Sequence, residues 1–334
     1  MSAAPKHPVI VDGLNCAAVT REQFQRTLQG GVCAINLTAV RPWSGLEDSL
    51  LELEENLRII GSMPDVAFIV QTADDILRAG REGRLGVIIG AQHSLMVEKD
   101  VRLLAPFRRL GMRILQPTYN EPCAFGQGAP DVGDTDKGIT ELGRAWVAEM
   151  HANRLLIDLS HCGHRTSADY IAEASQPVVF SHANAYAVCP SPRNKTDELI
   201  RAVADKGGLT GAVMWSPAVA HATRPTLDDY LDHVDHLVKV GGIDHVGFAS
   251  DVAEGFPEYR DKWEKSFGPR GLYPNITGIL GPWYEWPTRH NVDYDSLTHT
   301  PRILDGLRRR RYGEADVEKI MSGNWLRVLR EVWG

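Results

Sequence analysis

The stretch RLLIDLSHCGH, residues 154–164, sets an apolar run against a polar end, with Asp158, His161, Cys162 and His164 crowded where the hydrophobicity stops. The run shows no clean polar alternation, so a strand built from it is expected to be buried on both faces. Seven further runs follow the same grammar: PVIVDGL (8–14), GVCAINL (31–37), LGVIIGA (85–91), MRILQPT (112–118), PVVFSH (177–182), GLTGAVM (208–214) and DHVGFAS (244–250). VAFIVQ (66–71) adds a smaller strand. Helical periodicity fills residues 46–60, 99–110, 138–152, 165–174, 196–206 and 226–240 between them. Eight doubly buried strands, each leading into a helix, read as an α/β chain folded as one (β/α)8 TIM barrel over residues 1–334. The alternative is a doubly wound open sheet, and the lack of a GxGxxG after the first strand counts against its dinucleotide-binding form.

After the last strand the grammar breaks. Residues 252–296 are dense in Gly, Pro, Trp and Tyr, and Trp263, Tyr273, Trp283, Tyr284 and Trp286 suit either a lid over the barrel mouth or an oligomer contact such as a homodimer. Residues 300–333 then read as C-terminal helices, broken at Ser322 and Gly323, that close the barrel from below.

Composition narrows the function classes. The 334 residues carry 36 Lys and Arg against 43 Asp and Glu, a formal charge of -7. That balance offers no broad attraction for nucleic acid or an anionic membrane, and the run Arg308 to Arg311 reads as a solvated helix face. No window approaches a membrane span and MSAAPKHP (1–8) has no apolar leader core, so a cytoplasmic protein is expected. The five scattered cysteines contain no CxxC pair and are expected to be thiols.

In a barrel the chemistry gathers where strands end. The polar residues there are Asp12, Asn15 and Cys16; Gln92 and His93; Thr118, Tyr119 and Asn120; Asp158, His161 and Cys162; Ser181 and His182; and Ser250 and Asp251. His161, His182 and Asp251 come from three strands and converge on one face, the pattern of a metal site. His164 reads as the first turn of the next helix, His233 and His236 as surface positions of a helix, and His245 as buried structure opening the last strand.

IDLSH (157–161), SHANA (181–185) with CPSPRNKTDE (189–198), HVDHLVKVGGIDHVGFASD (233–251) and SGNWLRVLREV (322–332) together resemble the membrane (renal) dipeptidase family, peptidase family M19, among the amidohydrolase-like metal-dependent barrels. The resemblance implies a binuclear zinc site made from a His-x-Asp pair after the first strand, a bridging glutamate, two histidines and a last-strand aspartate. The histidines fall on His161 and His182, the aspartate on Asp251, and the arginine that holds the substrate carboxylate on Arg193.

The rest of that pattern is missing. Where the family has DGHND this chain has DGLNC (12–16), so Leu14 and Cys16 replace the metal-binding pair. GAQHS (90–94) puts Gly90 at the bridging glutamate, and TYN (118–120) puts Tyr119 at a substrate-binding histidine. Two divalent cations held side by side need bridging negative charge, which neither Leu14 nor Gly90 supplies. The expectation is therefore one divalent metal, most readily zinc, on His161 and His182 with Asp251 or Cys16 as third ligand. The expected activity is a metal-dependent hydrolase of a dipeptide or small amino-acid derivative carrying a carboxylate. Asp251 and Tyr119 are its candidate catalytic residues, and Arg193, Tyr119 and Asn120 its substrate-binding ones. The alternative is a non-hydrolytic barrel, either a small-molecule binding or accessory protein or a lyase.

Overall fold

The computed structural model describes residues 9–130, 133–257 and 259–334; the leaderless reading of residues 1–8 and position 258 of the insertion lie outside them. Every apolar run singled out in the sequence forms a strand. They are β1 (Val11–Asn15), β2 (Ala34–Val40), β3 (Ala67–Ile69), β4 (Leu85–Ala91), β5 (Met112–Leu115), β6 (Leu156–Asp158), β7 (Val178–Phe180), β8 (Leu209–Val213) and β9 (Val246–Ala249). All pairings are parallel and run in the order β1-β2-β4-β5-β6-β7-β8-β9, with short β3 flanking β4. This is a nearly closed (β/α)8 barrel.

The seam between β9 and β1 is held by side-chain chemistry. The Asp12 carboxylate accepts from Ser250 N at 2.7 Å, Ser250 Oγ at 2.6 Å and Asn15 Nδ2 at 2.9 Å, while Asp251 N donates to Leu14 O at 3.0 Å. Asp12 is thus a structural clasp that fixes where Asp251 enters the mouth. The clasp leaves Asp251 at φ +50°, a left-handed conformation that costs a non-glycine residue on the order of 1 kcal/mol.

The barrel floor is plugged by the C-terminal segment. Trp325 sits with Val11, Ile88, Ile114, Leu156, Val179 and Leu209 in one buried cluster, and its indole Nε1 donates to Phe248 O at 3.3 Å. Gly13 and Gly247 are glycines because a Cβ at either would collide with that indole. The expected break at Ser322 and Gly323 is corrected: Lys319–Gly323 form a π turn running directly into helix Asn324–Trp333. The wide turn positions Asn324 Nδ2 to donate to Ile243 O at 2.8 Å and Val246 O at 2.7 Å, and so delivers Trp325 into the barrel.

Helices Leu46–Gly61, Leu104–Arg109, Glu141–Ala152, His164–Glu173, Asp197–Asp205 and Leu227–Gly241 occupy the periodic stretches. Besides the short helices Ser216–Val219, Tyr259–Ser266 and Pro274–Thr277, two longer helices escaped the sequence reading, Arg21–Gln29 and Ala73–Glu82. Their signal is an N-cap: the Thr20 side chain accepts from Gln23 N, and Thr72 and Asp75 cap each other reciprocally. The five cysteines are free, as expected, and among the described residues no helix is long and apolar enough to cross a membrane.

Candidate active site

One side of the mouth is built on β6 and β7. Asp158 at the end of β6 accepts from Ser160 N (3.0 Å), Ser181 N (2.9 Å), Gln116 Nε2 (2.6 Å) and the Ser160 and Ser181 hydroxyls (both 2.5 Å). Because Ser181 Oγ spends its hydrogen on Asp158, it accepts from His182 Nδ1 at 2.7 Å. His182 therefore keeps a lone pair on Nε2. His161 Nδ1 donates to Asn120 Oδ1 at 2.7 Å, and Arg193 Nη2 donates to His161 Nε2 at 3.1 Å, so the one lone pair of that nitrogen is taken by the guanidinium. The two Nε2 atoms face each other at 2.9 Å. Tyr119 stacks on His161 with centroids 4.1 Å apart and planes 19° apart. Burial, reinforced for both rings by the Arg193 charge, pushes the two imidazoles well below their usual range, so they are neutral.

Arg193 is buried, 3% exposed, with Nη1 on the Ser160 carbonyl. Its charge is balanced by Asp251, whose carboxyl is raised to about 7 by burial, with Arg193 opposing the rise. A carboxyl poised there exchanges a proton near neutrality.

The opposite side, on β1, β2 and β4, has different chemistry. Cys16 Sγ donates to Asp251 Oδ1 at 3.4 Å and receives Gln92 Nε2 at 3.3 Å, while Gln92 also donates to Thr38 Oγ1 at 2.9 Å. Burial and then Asp251 push the thiol well above its ordinary range, so it stays protonated. At Gly90 the backbone is approached by the Asn36 side chain, and a Cβ there would overlap Asn36 Oδ1. Asn36, anchored by Nδ2 donation to Gly13 O at 2.9 Å, fills the space a longer side chain at position 90 would need.

The insertion covers the mouth. Tyr259, Trp263, Phe267, Tyr284, Arg289 and His290 line a chamber of about 90 Å³ together with Cys16, Gln92, Tyr119, Asn120, His161, Arg193 and Asp251. Trp263 anchors this cover against Tyr284 at 5.3 Å and Trp286 at 5.7 Å, and Arg289 lies 3.5 Å over the Trp286 ring. Arg289 and His290 were missed as chamber residues, since nothing in their local sequence connects them to a site assembled on β6, β7 and β9.

Several expectations need correction. His161, His182, Arg193, Asp251, Cys16, Tyr119 and Asn120 all line or adjoin the chamber, but the four expected ligands separate into a His161–His182 pair and a Cys16–Asp251 pair. Among the described residues no group of three or more His, Cys, Asp or Glu is placed to hold a metal ion. Arg193 reaches His161, and Asp251 accepts from Cys16, so the carboxylate does not join the imidazoles. The Asn120 oxygen is already taken by His161. His233 is fully buried rather than a surface position: Nδ1 accepts from Ala185 N at 3.2 Å and Nε2 donates to Val219 O at 2.9 Å. His236 is partly covered and meets Asp197 at 2.8 Å, and His245, half-buried, reaches Gly208 O at 2.7 Å. His164 opens its helix as expected.

Leu14 offers no side-chain donor, and the room for a carboxylate at position 90 is occupied by Asn36. The imidazole pair would suit one ion once Arg193 releases His161 Nε2: both Nδ1 atoms are anchored on oxygen acceptors, as in metal-bound histidines, and the two Nε2 atoms face each other.

Comparison with known proteins gives an independent result. The profile of the membrane dipeptidase family (peptidase family M19) matches residues 13–277. The chain is 29% identical to an uncharacterized dipeptidase of Schizosaccharomyces pombe over 70% of its own length and 56% of that protein, so it spans little more than half of the yeast relative. It is 28% identical to an uncharacterized protein in the pqqA 5′ region of Klebsiella pneumoniae, over 78% of this chain and 88% of that one. A crystal structure of an amidohydrolase from Pseudomonas aeruginosa superposes with a TM-score of 0.87 at 29% identity, covering 98% of this chain and 97% of the other.

Proposed function

This chain belongs to the membrane dipeptidase family, peptidase family M19, and from that premise we propose that it is a metallo-hydrolase of a dipeptide or a similar small amino-acid amide bearing a free carboxylate. The observation that carries the reading is Arg193: a buried guanidinium lining a small chamber beside two neutral imidazoles and a carboxyl raised to about 7. A substrate carboxylate is the natural partner for a desolvated guanidinium. Bound in that pair, the substrate brings its amide toward His161, His182 and Asp251.

His161 and His182 would hold a single divalent ion through Nε2, zinc being one that imidazole suits, and when bound it would supply Lewis acidity toward the scissile carbonyl and a water. Asp251 accepts the proton of the attacking water and returns it to the departing amine. Tyr119 keeps its phenol neutral because burial raises it well above its usual range, and is available as a donor to the substrate. The aromatic cover excludes bulk water, which strengthens each of these interactions.

The test is a panel of dipeptides and their C-terminal amides assayed for amine release. Cleavage of the free acids at least a hundredfold faster than of the amides is expected, with the preference abolished in Arg193→Ala. Equal rates, or no cleavage of any free acid with added zinc, would contradict the proposal. The separate Cys16–Asp251 pairing favours a second reading, a binding barrel without hydrolysis, and saturable binding of the same dipeptides without turnover would select it.

A further inference from the structure

The chamber shares a wall with a much larger recess. Cys16, Gln92, Tyr119, Ala253, Tyr259 and Phe267 line both, and beyond them a groove of about 960 Å³ runs between the segment after β1, helix Leu46–Gly61 and the start of the insertion. His161, Arg193 and Asp251 line only the chamber. The groove is apolar and open: Trp43, Leu51 and Phe256 on its walls are 57%, 65% and 45% exposed. A contiguous apolar surface leading out of a polar chamber marks a ligand with one polar and one apolar end.

Charge decides what kind of ligand. The shared wall carries no carboxylate, and the groove acids are engaged, Glu52 by Arg41 N at 2.8 Å and Glu55 by Arg58 at 2.6 Å. Lys262 and Lys265 add positive charge to the groove. The free ammonium of a peptide passing from chamber to groove would therefore meet neutral groups and then lysines. An uncharged aliphatic chain meets Tyr119, Phe267, Ala18, Ile59 and Leu51.

We propose that the substrate class is an N-acyl amino acid with a long aliphatic acyl chain, its carboxylate on Arg193, its amide in the chamber and its chain in the groove. This rests on the hydrolase reading above for the cleavage step and on the groove for the chain. In that step water gives its oxygen to the acyl carbon, the C–N bond breaks and the nitrogen takes a proton, releasing a fatty carboxylate and a free amino acid.

The test measures binding and cleavage separately. Calorimetric Kd values for N-acylglycines from acetyl to myristoyl are expected to fall roughly two- to fourfold per added methylene until the groove is filled. That slope should flatten in Leu51→Glu and Ile59→Glu, of which the first alters an exposed side chain and so spares folding. A Kd independent of chain length, or a slope unchanged in Leu51→Glu, would overturn the proposal. So would light scattering that shows the groove closed by a second copy, with the Leu51→Glu protein monomeric and neither form binding the acyl series. Graded binding without amide release upholds the groove assignment and overturns the hydrolase reading. Hydrolysis of short dipeptides without graded binding upholds the hydrolase and overturns the acyl chain.

Discussion

The two sides of the barrel mouth stand on the same scaffold and have been finished differently. Around β6 and β7, Asp158 gathers two serines and a glutamine, one serine orients His182, Asn120 orients His161, and the two imidazole Nε2 atoms face each other. Across the mouth, around β1, β2 and β4, Leu14 has no donor, Cys16 holds its proton, and Asn36 fills the space beside Gly90. The half proposed to bind metal keeps its shape because Asp158, His161 and His182 each have hydrogen-bond partners. The other half has become neutral packing, where Asp251 accepts from the Cys16 thiol while Arg193 is held on Ser160 O and His161.

That contrast can be broken at its base. Asp158→Ala should cost roughly 3–5 kcal/mol in urea unfolding, since it strands several buried donors at once; a loss under about 1 kcal/mol would mean the network supports nothing. Arg193→Ala should lower kcat/KM by about 10²- to 10³-fold through lost charge-assisted hydrogen bonds, with Arg193→Lys restoring only part. A variant as active as the parent would remove the substrate clamp from the account.

The supported side extends outward through His233, which takes its hydrogen bond from Ala185 just beyond His182. Burial lowers this imidazole to about 4. Between pH 6.5 and 4 the unfolded chain binds a proton that the native chain refuses, so stability is intact above 6.5 and falls on acidification, by roughly 3 kcal/mol at the lower end. His233→Gln should flatten that part of the stability-pH curve; an unchanged slope would show that other groups set it.

On the neutral side smaller effects are expected. Gly90→Ala should destabilise by about 1–3 kcal/mol through overlap with Asn36, and Asn36→Ala in the same chain should relieve it. An additive double variant would mean Asn36 is not the obstacle. Cys16→Ser should change stability by less than about 1 kcal/mol and leave metal binding intact. Loss of the metal in that variant would return Cys16 to the ligand set.

Much of this was legible in the residue order, for physical reasons that differ from element to element. The strands declare themselves because doubly buried β-structure needs unbroken Val, Ile and Leu, and the positions after each run point to one face. The helices at 21–29 and 73–82 rest on caps and on tertiary packing more than on a continuous apolar stripe, so periodicity passed over them. Ser322 and Gly323 look like a helix break, yet a π turn absorbs them once Trp325 has a barrel to enter. His233 at helical spacing looks solvated, and only the loops after β7 and β8 bury it. At the site, residue types identified Leu14 and Gly90 as absent donors. His161 pairs with His182 and Cys16 with Asp251 across the ends of different strands, and no local pattern encodes that.

The measurement that bears most directly on the account is metal content per chain by plasma emission, on protein purified without chelator and then offered zinc. About one equivalent is predicted, lost in His161→Ala and kept in Cys16→Ser. Two equivalents would show that Leu14, Gly90 and Asn36 do not close the second position, and none would show that the imidazole pair alone does not make a metal site; either result contradicts the one-ion hydrolase.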